Sequence, residues 1–585
     1  MRVIWLRCLL LMVVNSAVCQ ERPTSSNMAP ERTKCEWQVN PLGIDIAEPR
    51  FSWILRTVDP SVRGLRQTAY QVIVSSSQDM LARDQGEWDS GKVLSQEIFQ
   101  IKYAGKMLAP ATRYYWKVRL WGGNDRPSLW SAPAEFVTGQ LHPENWRAQW
   151  IAAEADAPPQ PQAQENTGEV RRTMPRLPIF RRDFSVRHKV QQALIFISGL
   201  GHYELHINAH SVTDRLLTPG WTNYRKRVFY NTYDVTKLIR QGKNALGVLL
   251  GNGMYNVPGI EGRYTKFIGS FGQPKLILEL HLRFDDGSET VIGSDKSWKV
   301  APGPITFSSV YGGEDYDARL EQPGWDNPDF HARGWKRVVT AKGPGGTLVT
   351  EQSPSIRVTH TYDPVKTTQP QPGVTVYDLG QNFSGWPEIT VRGARGTTVK
   401  LLAGELLDGS GLVTQHSANA SPASEQRYVY TLRGSGDETW HPRFSYWGFR
   451  YVQVESTSAT GSNEIPITVS LHGQFMHDDV ETVGKYETSD QLFERIYRLI
   501  DYAVLSNMFS VLTDCPHREK LGWLEQTYLA GSSILLNHDG IRLYQKMAQD
   551  IRDSQLPDGM VPGIAPEYVA FVDKIWSQHE LPRFS

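Results

Sequence analysis

The sequence predicts a multidomain protein: several β-sandwich or jelly-roll modules followed by the start of an all-helical domain. Three observations predict it. At 585 residues the chain is long enough for about four domains. Apolar residues alternate with period two in short runs up to residue 480, with Gly, Asp and Asn clusters between them. From Thr488 the spacing changes to three and four, at Leu492, Phe493, Ile496, Tyr497, Ile500 and Val504.

In chain order, residues 1–19 read as an export signal. Arg2 and Arg7 flank the start, Val3 to Val14 are mostly apolar, and Ala17 and Cys19 satisfy the small-x-small cleavage pattern. The expected location is periplasmic or secreted. That run is too short to span a bilayer and no later one reaches about 18 apolar residues, so no transmembrane segment is expected. Residues 20–34 are polar and read as a linker. Residues 35–141 read as a fibronectin type III-like β-sandwich, with Tyr70, Val72 and Val74 alternating and then Tyr114, Trp116, Val118 and Leu120.

Residues 142–350 read as a jelly-roll-like sandwich interrupted by a Pro/Gln-rich loop at 158–176. In it Tyr203, Leu205 and Ile207 alternate with His202, Glu204 and His206, and Asp286-Gly287 marks a hairpin turn. Residues 351–480 supply a third β-sandwich. Residues 481–585 open a helical domain. Thr488 and Gln491 suggest a capping box. Further helices fit 523–536 and 541–554, the latter capped by Asp539 with Tyr544, Met547, Ala548 and Ile551 on one face. Their apolar faces are broad enough to want more partners, so the expectation is an incomplete helical domain.

Composition narrows the function. Lys+Arg and Asp+Glu stand at 62 each with no basic stripe, which argues against nucleic acid as a partner. Eighteen Trp and 24 Tyr suit stacking on sugar rings, and equally suit the cores of β-sandwiches. Cys35 and Cys515, the two cysteines beyond the signal, form neither a disulfide framework nor a metal motif. Gly199-Leu-Gly201 and Gly251-Asn-Gly253 lie between strands and read as turns. No metal-site motif appears; Asp214, Asn223 and Asn252 are loop oxygens of the kind calcium takes, but no spacing supports a calcium site.

The densest chemistry lies at 513–526, Thr-Asp-Cys-Pro-His-Arg-Glu-Lys-Leu-Gly-Trp-Leu-Glu-Gln. Carboxylates at Asp514 and Glu519, an Arg between them and a Trp beside them supply what glycoside hydrolysis needs: a proton donor, hydroxyl ligands and an aromatic wall. A solvated turn in which Asp514 caps a helix and Glu519 pairs with Arg518 or Lys520 is the plainer reading.

Asp514-Cys-Pro-His-Arg-Glu-Lys-Leu-Gly-Trp523 resembles the signature of the bacterial α-L-rhamnosidase family of glycoside hydrolases, family 78-like. Tyr311-Gly-Gly-Glu-Asp-Tyr-Asp-Ala-Arg319, Leu217-Thr-Pro-Gly-Trp221, Tyr377-Asp-Leu-Gly-Gln-Asn-Phe-Ser-Gly-Trp386 and Pro442-Arg-Phe-Ser-Tyr-Trp-Gly-Phe-Arg-Tyr451 resemble segments of the same family. The resemblance implies an α/α six-hairpin barrel after the β modules and inverting hydrolysis of terminal α-L-rhamnose from a rhamnose-containing glycoside, oligosaccharide or polysaccharide, with no cofactor required. It implies Glu519 as general acid and Asp514 as a ligand of sugar hydroxyls, with Arg518 and Trp523 as further substrate contacts. Another branch of the family carries Asp where this chain has Gln526, so Gln526 and the adjacent Glu525 are both substrate-binding candidates. The family's general base is a Glu far downstream, whereas the glutamates beyond Glu525 here are Glu567 and Glu580. The expectation is therefore a chain cut within the barrel that hydrolyses poorly. The alternative is a non-catalytic carbohydrate-binding protein contacting sugar through Trp221, Tyr255 and Trp325.

Overall fold

The computed structural model describes residues 26–123, 125–155, 172–459 and 465–568. The export signal at 1–19, most of the loop at 158–176, and Glu580 lie outside the described residues. The chain divides into two compact units.

The first unit runs from residue 26 to 41, 46 to 108 and 112 to 137. Part of the expected linker is structured: Met28–Cys35 pairs antiparallel with Arg50–Thr57, which pairs with Ile101–Lys102. Pro, Glu, Arg and Thr disguise this strand, but Met28 and Cys35 at its ends are buried. A second sheet runs Ala134–Thr138, Arg113–Trp121, Ala69–Ser75, Trp88–Asp89. Phe51 of the first sheet meets Trp116 of the second with ring centroids 4.5 Å apart, which closes the core. The short helix α1 (Gln78–Ala82) is capped by Ser77.

The second unit takes in nearly all the rest. One sheet is built on Lys275–Phe284, Val190–Leu200 and Arg227–Asp234, another on His202–Ile207, Gly242–Gly251 and Pro178–Val186. Inward residues of both, such as Phe180, Ile195, Leu205, Val248, Leu278 and Trp298, form one core. The Asp286-Gly287 turn joins Lys275–Phe284 to Glu289–Gly293 as expected, with Gly287 at φ +81°.

The structure redraws the next boundary. Ile305–Ser309 and Gly313–Asp317, which the sequence assigns to the 142–350 module, join a ten-stranded sheet with Arg427–Thr431, Thr398–Gly404, Trp447–Thr457, Val374–Arg392, Ile467–Asp478 and Ile356–Tyr362. The link is a parallel pairing of Gly313–Asp317 with Arg427–Thr431. An alternating run shows that a strand exists but not which sheet receives it.

Four helices follow among the described residues. α2 (Gln491–Leu505) is capped by Asp490, whose carboxylate accepts the Leu492 N–H at 2.8 Å, while Thr488 Oγ1 accepts the Asp490 N–H, so the capping box is not formed. α2 buries no residue outright: Leu492, Phe493, Ile496, Leu499 and Ile500 are exposed. The helix expected at 523–536 is two, α3 (Leu524–Leu529) and α4 (Gly531–Asn537), divided at Ala530. In α5 (Ile541–Ser554) Gly540, not Asp539, takes the cap position. Its buried face is also turned from the expected one: Leu543, Lys546, Met547, Asp550 and Ser554 are inside and Ala548 is exposed. Lys546 and Asp550 are tolerated there because they pair at 2.6 Å one turn apart.

Much of the tryptophan goes to cores: Trp53, Trp116, Trp298, Trp386 and Trp447 are fully buried. Cys35 and Cys515 are free thiols. No helix among the described residues is long and apolar enough to cross a membrane.

Candidate active site

The segment between α2 and α3 is anchored before it reaches its functional side chains. Phe509 stacks on Tyr446 with centroids 3.8 Å apart, and the Ser510 N–H is shared by both oxygens of Asp478. Ser510 at φ +59° turns the chain back. The Asp514 N–H then donates to the Leu521 carbonyl, and the Leu521 N–H to Asp514 Oδ1 at 3.3 Å. These two bonds close 514–521 into a loop at its neck.

Inside that loop the side chains are cross-linked. The Cys515 thiol donates to Asp514 Oδ2 at 3.2 Å, and its sulfur accepts the Glu519 N–H at 3.3 Å. The Glu519 carbonyl accepts the Tyr311 hydroxyl at 2.7 Å, and that of Arg518 accepts the Tyr264 hydroxyl. Lys520 follows at φ +55° and is fully buried, its ammonium donating to the carbonyls of Val310 and Tyr446 and lying 4.2 Å from the Tyr446 ring centroid. Burial pushes that ammonium well below the usual lysine range. The backbone at Glu519 is thus clamped from the β side of the unit at two successive residues.

The carboxylate of Glu519 is largely covered, with 14% side-chain exposure. Its Oε2 accepts the indole N–H of Trp523 at 2.9 Å. Its Oε1 lies 3.3 Å from the Arg518 guanidinium and 3.6 Å from the Lys266 ammonium. Burial raises the carboxyl of Asp514 to about 6, the charge of Glu519 adding to the rise and the Cys515 thiol opposing it. His517 stands 3.4 Å from Glu405, its imidazole pushed down by burial.

Trp523 is fixed from the far end of the chain: its backbone bridges Ile564 and the Leu524 N–H donates to the Gly563 carbonyl. Gly522 is required here, because a Cβ would come within 2.4 Å of the Ala565 carbonyl oxygen.

Asp514, Arg518, Glu519 and Trp523 therefore come together. Glu525 stands exposed on the first turn of α3, and Gln526, half-buried in the same turn, bonds through its backbone to the Trp523 carbonyl. Sequence reasoning missed Tyr264, Lys266, Glu405 and the role of Lys520. Tyr311 and Tyr446 did lie in segments singled out by resemblance. The three aromatics of the binding-only alternative do not fit it. Trp221 and Tyr255 are buried, and Trp325 packs its ring on Gly247 and beside His206. His206 also pairs with Asp326 at 2.8 Å. Asn223 and Asn252 donate to Glu567 and to the Ser308 carbonyl, and Asp214 pairs with Arg357.

Four family profiles match in succession: Rha78A-like, N-terminal immunoglobulin domain, residues 30–142; alpha-L-rhamnosidase N-terminal domain, 188–360; bacterial alpha-L-rhamnosidase concanavalin-like domain, 368–477; and bacterial alpha-L-rhamnosidase 6 hairpin glycosidase domain, 481–581. The chain belongs to the bacterial α-L-rhamnosidase family. An alpha-L-rhamnosidase of Formosa agariphila is 32% identical over 94% of this chain and 58% of its own. A solved alpha-L-rhamnosidase from Dictyoglumus thermophilum superposes with a TM-score of 0.84 at 40% identity, over 94% of this chain and 60% of that one. One from Streptomyces avermitilis, complexed with L-rhamnose, gives 0.83 at 29% identity, over 92% and 66%. This chain thus spans about three fifths of the relatives it matches. Within the family's 6 hairpin domain, the cluster around Glu519 occupies the connection between the first two helices of the match.

Proposed function

We propose that this chain carries the proton-donating half of an α-L-rhamnosidase site, in which Glu519 protonates the glycosidic oxygen of a terminal α-L-rhamnoside. The observation that carries the reading is the isolation of this carboxyl. It is mostly out of solvent, held on one oxygen by an indole N–H, with a second carboxyl in the same loop. A proton leaving Glu519 creates a carboxylate that the Trp523 N–H and two cations already face, so the charge that develops is met without reorganisation. Asp514 is assigned to sugar hydroxyls, with Arg518 and the Trp523 ring as further contacts. Gln526 is a weaker contact and Glu525 a remote one. No cofactor enters the reading.

Inversion also requires a second carboxylate, roughly 6.5–9.5 Å from the acid, to activate water on the opposite face of the sugar. Glu567 does not supply it in this reading, because it is held by Asn223 at 2.8 Å and lies 3.6 Å from Arg225. The reading assigns that part to no described residue. The apolar segment near the amino terminus supports export, placing the substrate outside the cytoplasm.

The test is hydrolysis of an aryl α-L-rhamnoside together with calorimetric binding of L-rhamnose. Glu519→Gln is expected to abolish residual hydrolysis and keep binding, and Asp514→Asn to weaken binding at least tenfold. Turnover by Glu519→Gln equal to that of the unsubstituted chain, or no rhamnose binding by the unsubstituted chain, overturns the reading.

A further inference from the structure

Lys266 and Arg518 both approach the same oxygen of Glu519, at 3.6 and 3.3 Å. They come from different parts of the fold: Arg518 from the loop itself, Lys266 from the connection that follows Asn256–Val257 in the β region. Both remain partly open to solvent, with side-chain exposures of 30% and 43%, while the carboxylate between them is mostly covered. Two cations therefore share one anion. The other charged or titratable neighbours do not rebalance them. Asp514 is bonded to Cys515 and Leu521, Tyr264 donates to the Arg518 carbonyl, and Lys520 is buried on the opposite side of the backbone against Val310 and Tyr446.

In the proposed reaction Glu519 must carry its proton before the bond breaks. In that state Lys266 and Arg518 face a neutral carboxyl, and their charges are uncompensated beside a mostly covered side chain. A general acid lies against the leaving-group oxygen, so whatever occupies the leaving-group side lies near these cations.

We propose that the leaving group is anionic: that the substrate is rhamnose joined to a carboxylate-bearing sugar, whose carboxylate is received by Lys266 and Arg518. The inference rests on the reading of Glu519 as proton donor and extends it to the sugar beyond the scissile bond. It also assigns Lys266, a β-region residue, a part in specificity.

Calorimetry on the whole chain tests it, with two disaccharides as probes: L-rhamnose α-linked to glucuronic acid and the same rhamnoside of glucose. The acidic disaccharide is expected to bind roughly fivefold more tightly, the effect of one partly exposed ion pair. The preference should shrink toward unity in 0.5 M NaCl and in Lys266→Gln, and return in Lys266→Arg. Glu519→Gln, which mimics the protonated acid, should enlarge it. Equal affinities for the two disaccharides, or a preference untouched by Lys266→Gln, overturns the anionic leaving group while leaving the rhamnosidase reading intact. Binding of neither disaccharide nor of rhamnose overturns both.

Discussion

The indole N–H of Trp523 donates to Oε2 of Glu519 at 2.9 Å, across four residues that include a buried lysine at positive φ. That bond ties the proposed proton donor to the start of α3 and, through the bridge from Trp523 to Ile564, to the last described stretch of the chain.

Trp523→Phe keeps an aromatic ring and deletes the donor. A hydrogen bond to a charged group contributes about 1.5–3 kcal/mol, and the carboxylate needs it most after giving up its proton. The expected result is a fall in kcat of about tenfold or more with a smaller change in KM, read from initial rates on an aryl rhamnoside. Equal losses in binding and turnover would place the bond in ground-state packing instead.

The Asp514 carboxyl should sense the charge of Glu519. Asp514 stands at about 6 mainly because it is buried, and repulsion from Glu519 adds to this. Glu519→Gln removes that repulsion, so the Asp514 midpoint should move down from about 6, as followed by carbon-13 NMR of labelled aspartate. An unmoved midpoint would mean that the two carboxyls do not sense each other.

Asp478, which holds the Ser510 N–H at the base of the segment, is raised by burial to about 7. Its unfolded value is near 3.8, so between about 4 and about 7 the native state keeps a proton that the unfolded chain has released. Stability from this group is full below about 4 and is lost as pH rises through about 7, a change on the order of a few kcal/mol. Urea midpoints across pH 4–8 should fall more steeply for the unsubstituted chain than for Asp478→Asn, which cannot titrate. Parallel curves would remove Asp478 as the cause.

Gly448 lies under the functional loop. A Cβ there would meet Pro516 Cγ at 2.6 Å, and a proline ring has little freedom to yield. Gly448→Ala should cost about 1–3 kcal/mol in urea unfolding and weaken rhamnose binding together, because the strain enters at the loop itself. Loss of stability with unchanged affinity would show that the loop shifts without disturbing Asp514.

α2 illustrates how far periodicity reaches. Its apolar stripe and its position were legible, and Asp490 lies within three residues of the expected cap. What the stripe could not say is that Leu492, Phe493, Ile496, Leu499 and Ile500 stand exposed, since spacing defines a face without naming what covers it. In α5 the expected face was rotated, because two charged residues can lie inside when they neutralise each other and a period-based reading counts them as outward.

The order of the modules, the change from strands to helices near residue 488, and the loop that holds Asp514, Arg518, Glu519 and Trp523 were determined by the sequence, because strand alternation, helical spacing and a contiguous motif are local properties. Only the tertiary structure decided that Ile305–Ser309 and Gly313–Asp317 join the third sheet, that Lys520 points inward to two carbonyls, and that Lys266 reaches Glu519 from a connection some 250 residues earlier. Each depends on a partner distant in the chain. Pairing, burial and charge compensation are settled by which surfaces meet, and no local pattern encodes that meeting.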